Sequence, residues 1–287
     1  MYNVHMPSLV SLEAIDYLVI GHVTQDLTPH GSRLGGTAAY AARTARALGL
    51  RVGVVTACRE DLALDALGEI PVVVVPSEHN TTFENVYTPQ GRRQRLVHRA
   101  APIPWEVVPE AWRHAPIIHL GPVAREVEAV LPSGFSPSLL GLTPQGWLRA
   151  WDEAGQVTPA PWPEAERALR QAGATVLSIE DVAGDEAQIE AMSLAARILV
   201  VTEGAAGARL YWNGDLRRFP APRMDERDAT GAGDIFAAAF FIRLYTTRDP
   251  WEAARFATHL AACSVRREGL DGTPTHDEIQ ACLVEVF

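Results

Sequence analysis

Asp228-Ala-Thr-Gly-Ala-Gly-Asp234 runs directly into Ile235-Phe-Ala-Ala-Ala-Phe-Phe-Ile242. The second run is apolar enough to be only a buried helix or strand. Its alanines favour helix, because Ala is the best helix former and fits poorly in strands. The junction therefore reads as a glycine-rich turn feeding a helix N-terminus. Gly231 and Gly233 let the backbone turn sharply and bring its N–H groups close to a ligand. The first helical N–H groups have no intrahelical partner and lie at the positive end of the helix dipole. That combination suits a phosphate. Asp234 falls in the first turn. Taken alone, Gly-Ala-Gly-Asp would be an N-cap on a core helix. Asp228, six positions upstream, and Thr230 between them make the longer pattern more specific.

Outward from this stretch the chain alternates between apolar, β-branched runs and helical patterns. Strands are expected at Asp16–Gly21, Arg51–Thr56, Val72–Val75, Pro116–Leu120, Ser138–Leu142, Ala174–Ile179 and Ile198–Thr202. Helices are expected from Gly35-Gly36 onward, over Val123–Leu131, over Trp251–Glu268 and from about Thr275. Such alternation implies a parallel sheet with right-handed crossovers. Two hairpins interrupt it. Thr81–Tyr87 and Arg92–His98 flank a turn at Pro89-Gln90-Gly91, and Ala208–Trp212 and Asp215–Phe219 flank Asn213-Gly214. The first hairpin has mixed polarity, and Arg92, Arg93 and Arg95 read as its solvated face. His119 reads as a satisfied core histidine. Residues 152–163, rich in Pro and polar side chains, read as a loop.

The bulk composition narrows the function. The 287 residues are 47% hydrophobic and 21% charged, ordinary for a globular protein. A formal net charge of −10 argues against a general nucleic-acid or anionic-membrane binder. Cys58, Cys263 and Cys282 are widely spaced and read as free thiols. No apolar run approaches the roughly 20 residues of a membrane span, and no signal peptide is recognised. A cytoplasmic location is the default expectation. There is no Walker A sequence, and no G-x-G-x-x-G follows the first strand.

The Asp228–Asp234 stretch resembles the second signature of the ribokinase-like carbohydrate kinases, the PfkB family, written D-T-x-G-A-G-D. Ala229 stands where Thr is usual. The resemblance extends over nearly the whole chain and implies an α/β three-layer sandwich around a mainly parallel central sheet. It implies one domain over residues 1–287 and a small β lid formed by about 22–34 and 79–101. It also assigns roles. Asp234 is the general base, and the amides of Gly231, Ala232 and Gly233 stabilise charge on the moving phosphoryl group. Asp26, five residues after Gly21, matches an Asp that holds two sugar hydroxyls, although an ordinary turn residue explains it equally. Gly35 and Gly36 match the Gly-Gly of the first signature, where backbone meets substrate. Tyr40 stands at its usual Asn, an aromatic that changes the shape and polarity of the pocket.

On the nucleotide side, Thr202, Gly204 and Gly207 match V-T-x-G-x-x-G, whose loop lies along ATP in the family. Glu203 replaces the usual Leu, with its role open. Thr230 belongs to the same side, and Thr258 stands where Asn is frequent on a helix bordering the adenine. Ser178-Ile-Glu-Asp181 replaces the family's N-x-x-E, leaving Asp181 or Glu180 to shape a Mg²⁺ site through water; a helix-start acidic pair fits as well. ATP and Mg²⁺ are implied, a monovalent cation is allowed, and a homodimer through the lids is compatible.

The reading that follows is ATP-dependent phosphorylation of a hydroxyl on a small polyol or sugar. Leu34-Gly-Gly with Ala38 and Tyr40, the lid hairpin, His119-Leu-Gly-Pro122 and Ser178-x-x-Asp181 look like the inositol kinase branch, so myo-inositol or a related cyclitol is favoured. A ribose, fructose or nucleoside acceptor is the alternative within the class. A non-catalytic nucleotide or sugar sensor is the alternative outside it.

Overall fold

The computed structural model of the chain describes residues 13–28, 31–88 and 91–284. Residues 29–30 of the expected lid, Pro89 and Gln90 of its turn, and the ends of the 1–287 span therefore lie outside the described residues, as do the side chains of Arg92 and Arg93. The chain runs from β1 (Tyr17–Ile20) through β2 (Thr24–Thr28) and β3 (Gly31–Gly35) into α1 (Thr37–Ala47), β4 (Val52–Cys58) and β5 (Val72–Pro76). β6 (Thr81–Thr88) and β7 (Gly91–His98) follow, then β8 (Ile117–Leu120) and β9 (Leu139–Leu142). A short pair comes next, β10 (Arg149–Trp151) and β11 (Val157–Pro159). The second half contains α2 (Ala165–Gln171), β12 (Ala174–Ser178), α3 (Glu186–Ala195), β13 (Ile198–Thr202), β14 (Ala208–Trp212) and β15 (Asp215–Phe219). It ends with α4 (Ala232–Thr247), α5 (Pro250–Ser264) and α6 (His276–Val284).

Nine strands form one sheet in the order β15-β14-β13-β12-β9-β8-β1-β4-β5. From β13 to β5 every pairing is parallel, and β14 and β15 add an antiparallel edge. The strand sequences explain the layers. β1 is Tyr-Leu-Val-Ile, buried at every position, because side chains alternate between two covered faces. Tyr17 and Val19 join one core with the alanines of α1 and the phenylalanines of α4, while Leu18 and Ile20 join another with Trp112, Leu169 and Ile189. The result is the expected three-layer α/β sandwich around a mainly parallel sheet.

A second sheet, in the order β3-β2-β6-β7, stands apart as the lid. Its strand register decides its faces. Asp26, Arg33 and Phe83 are cross-strand partners, as are Phe83 and Leu96. Phe83 and Leu96 pack on Val123, Ala124, Trp151 and Val157, so this face meets the loops at the C-terminal ends of the central strands. Gln25, Leu34, Thr82 and His98 are partners on the opposite face.

Three expectations are corrected. Val123–Leu131 forms no helix, although Val123, Val127, Ala129 and Leu131 are buried. The carboxylate of Glu126 accepts the backbone N–H groups of His22, Val123 and Ala124 at 2.7–3.1 Å, and Arg125 has φ 57°. Side chain-to-backbone bonds there replace the helical ladder. Residues 152–163 are not all loop either, since β11 pairs antiparallel with β10 from Arg149↔Pro159 to Trp151↔Val157. The helix expected over Trp251–Glu268 ends earlier, at Ser264. His119 is the satisfied core histidine expected, between Tyr17 (2.7 Å) and Thr143 (2.9 Å), and burial holds it neutral with a pKa of about 3. Among the described residues Cys58, Cys263 and Cys282 form no disulfide. Among the described residues no helix is long and apolar enough to cross a membrane.

Candidate active site

The parallel strands end on one edge of the sheet, where such folds place ligands. The Asp228–Asp234 turn reaches that edge from the helical side. Asp228 Oδ1 accepts the N–H of Thr230 and Oδ2 that of Gly269, each at 2.9 Å. Burial opposes ionisation of Asp228, but these bonds and the charge of Arg33 outweigh it and hold the carboxyl below its usual range. Asp228 thus shapes the turn. Gly231, at φ 80°, is the N-cap of α4, and the N–H of Ile235 closes the first helical turn on its carbonyl at 2.9 Å. The N–H of Ala232 already reaches Ala229 O at 3.2 Å. The N–H groups of Gly233 and Asp234 lie at the open end of the helix.

Asp234 is half-buried in that first turn. Thr37 Oγ1, from the start of α1, donates to Asp234 Oδ1 at 2.6 Å. Burial pushes the Asp234 carboxyl up to about 6. The Thr37 hydrogen bond opposes this, the negative charges of Asp181 and Asp26 add to it, and Arg149 offsets them. The same influences place Asp26, Asp181 and Arg149 around Asp234, from β2, the end of β12 and β10. Asp26 Oδ1 accepts from Thr24 Oγ1 at 3.0 Å, and a Cβ on Gly35 would strike Asp26 Oδ2. Gly36, at φ 84°, lies against the His22 carbonyl and Thr24. The ring of Tyr40 packs on Gly231, and its hydroxyl is pushed upward by burial and by Asp26, Asp234 and Asp228. Asp26, Gly35, Tyr40, Gly231 and Asp234 therefore form one cluster.

The metal and nucleotide candidates are spread around this cluster. Ser178 and Asp181 form a reciprocal capping box. Asp181 Oδ2 accepts from Ser178 N (2.9 Å) and Oδ1 from Gln145 Nε2 (3.3 Å), while Glu180 is exposed. No group of three or more acidic, His or Cys side chains suited to a metal occurs among the described residues. Thr202 ends β13, next to β12 in the sheet. Gly204 and Gly207 follow at φ 57° and 101°, and a Cβ on Gly207 would strike the Phe219 carbonyl. Glu203 acquires a role: its carboxylate bridges Arg209 and Arg218, each at 3.0 Å, and so ties this loop to β14 and β15. Thr258 is buried in α5, where its hydroxyl donates to the Ala254 carbonyl at 2.7 Å.

Five positions were not singled out from the sequence. Thr37 and Thr24 are lone hydroxyls in strand and helix starts. Gln145 and Arg149 lie just beyond β9, where only the strand end gave a signal. Arg33 also crosses from the lid to the body, 2.8 Å from Glu268 and 3.8 Å from Asp228.

A nine-stranded, mainly parallel sheet, a four-stranded lid and a Gly-Ala-Gly-Asp helix start together define the ribokinase-like class. Residues 163–276 match the family described as pfkB family carbohydrate kinase, and the chain has a ribokinase-like fold. The fold is similar to that of a pyrophosphate-dependent kinase in the ribokinase family complexed with a pyrophosphate analogue and myo-inositol. The TM-score is 0.76 at 20% identity, over 92% of this chain and 99% of that one. It is also similar to Arabidopsis thaliana ribokinase complexed with ribose and ATP, with TM-score 0.69 at 16% identity, over 95% and 100% of the two chains. In sequence the chain is 28% identical to an inositol 3-kinase of Oryza sativa subsp. japonica, over 94% of this chain and 72% of that protein. It is 37% identical to the ribokinase of Bacillus subtilis over 95 residues, 33% of this chain and 32% of that protein. The match to the ATP-dependent ribose-1-phosphate kinase of Halopiger xanaduensis likewise spans only 31% of that protein's length.

Proposed function

We propose that the protein is a single ribokinase-like domain that transfers a phosphoryl group from ATP to a hydroxyl of a small polyol or sugar. A cyclitol such as myo-inositol is the favoured acceptor. The observation that carries the reading is Asp234: a half-buried carboxylate at a helix start, with a pKa of about 6, facing Asp26 across the cluster. A base with a pKa near the working pH is the best proton acceptor.

Asp26 accepts hydroxyl protons of the acceptor and fixes its orientation. Asp234 takes the proton of the reacting hydroxyl, whose oxygen attacks the terminal phosphorus of the donor in line. The bond from that phosphorus to the bridging oxygen breaks, and its electron pair leaves with the donor. The turn of Gly231, Ala232 and Gly233 offers N–H groups to the moving phosphoryl group, the N–H of Gly233 being better placed than that of Ala232, which is already engaged. The Arg149 guanidinium adds positive charge. Asp181 and Glu180 would hold Mg²⁺ through water, because both Asp181 oxygens already accept hydrogen bonds, and the ion would then spread the phosphate charge of the donor. Thr202, Gly204, Gly207 and Thr230 line the nucleotide side, with Thr258 behind them in α5.

The acceptor reading is supported by the long inositol 3-kinase alignment and by Tyr40 in the cluster. Because relatives of this fold include pyrophosphate-dependent kinases, the donor is tested with ATP and pyrophosphate side by side. Product formation from myo-inositol, ribose, fructose and adenosine with each donor tests the proposal. Binding without turnover on all of them would favour the sensor. Light scattering across a dilution series tests a homodimer through the lids.

A further inference from the structure

The Thr37 hydroxyl belongs to none of the roles assigned so far. Thr37 is the first residue of α1 and only 1% exposed. A Cβ on Gly121 would run into its methyl group, so the loop leaving β8 holds that methyl in place. A β-branched side chain has few rotamers to choose from. With the methyl held by Gly121, the hydroxyl is directed at Asp234 Oδ1. The 2.6 Å separation is that of a hydroxyl on an ionised carboxylate.

We propose that Thr37 is the positioning residue for Asp234: its hydrogen bond fixes the carboxylate, favours the ionised form and leaves Oδ2 to receive the substrate proton. This inference rests on the reading of Asp234 as the base. It has a separate physical basis, because Thr37 joins the two helix starts, α1 and α4, that build the cluster. The other groups facing Asp234 act through their charge or polarity from different elements. They are Tyr17 of β1, Asp26 of β2, Tyr40 of α1, Arg149 of β10 and Asp181 after β12.

The test compares Thr37→Val, which keeps the shape and removes the hydroxyl, with Thr37→Ser, which keeps the hydroxyl. The Asp234 carboxyl is titrated by ¹³C NMR with labelled aspartate, using Asp234→Asn to identify its resonance. Thr37→Val is expected to raise the titration midpoint by about one pH unit, the scale of a hydrogen bond to a charged group. Thr37→Ser is expected to stay within a few tenths of the unmodified protein. The acid limb of kcat/KM should move with the midpoint, so that Thr37→Val loses roughly fivefold at pH 6. A Thr37→Val midpoint equal to that of the unmodified protein would overturn the inference, as would a Thr37→Ser midpoint shifted as far as that of Thr37→Val. Should Thr37→Val fail to fold, Thr37→Ala carries the same comparison. A shifted midpoint in a protein that phosphorylates nothing would sustain the positioning role and sink the kinase reading.

Discussion

Tyr40 packs so closely on Gly231 that a Cβ at position 231 would come within 2.2–2.5 Å of its ring atoms. One contact thereby joins the first helix to the turn that starts α4, and both sides of it matter. Gly231 also has φ 80°, which costs a residue with a side chain about 1–2 kcal/mol. Gly231→Ala should therefore lose at least that much stability in urea unfolding and lose turnover as Tyr40 is displaced. Gly233→Ala meets nothing within 4 Å and has no such backbone demand. Its stability should stay within about 0.5 kcal/mol. Equal costs for the two substitutions would contradict the role given to Tyr40.

Asp234 makes activity and stability respond oppositely to pH. Its folded pKa, about 6, lies above the usual carboxylate value. The folded state therefore binds this proton more tightly than the unfolded chain does. The Asp234 contribution to stability is present at low pH and is lost as pH rises through about 6. Activity needs the ionised form, so kcat/KM should fall below about pH 6. At pH 8 Asp234→Asn should be more stable than the unmodified protein, by on the order of 2 kcal/mol. Thermal unfolding at pH 5 and pH 8 checks this: the gain should be larger at pH 8.

Glu126 is 2% exposed and holds three backbone N–H groups beneath the lid. Glu126→Ala strands all three donors in a buried site. A cost on the order of 3 kcal/mol follows, read as a lower urea midpoint. A cost below about 1 kcal/mol would mean that the 121–126 loop is held by other contacts.

Arg33 links the lid to Glu268 and Asp228 across partly exposed surface. Such pairs add little to stability, about 0–1 kcal/mol. Arg33→Ala should leave the unfolding midpoint nearly unchanged while weakening acceptor binding as the lid loosens. Isothermal titration of acceptor at low and high salt would show the difference between the two proteins shrinking as salt rises.

The sheet was legible because buried parallel strands are continuous apolar runs, as in Tyr17–Ile20 and Ile198–Thr202. Asp26, Tyr40 and Asp234 were legible because each sits in a local pattern tied to a strand end or helix start. The Val123–Leu131 reading failed for a physical reason. Its apolar spacing is real, but Glu126 serves backbone groups from two segments, one of them 104 residues away at His22. Thr37 and Arg149 act only through partners distant in sequence, so no local pattern announces them. Glu203 was left open for the same reason, since its partners Arg209 and Arg218 matter only once β14 and β15 fold back.

The most direct test is phosphoryl transfer to myo-inositol, ribose, fructose and adenosine, with Mg-ATP and Mg-pyrophosphate, by the unmodified protein and by Asp234→Asn. The account predicts transfer to one acceptor class, myo-inositol first, and a loss of about 10²–10⁴-fold in the variant with its fold retained. Undiminished transfer by Asp234→Asn would contradict the role of that carboxylate. Binding with no transfer to any acceptor from either donor would contradict the kinase itself.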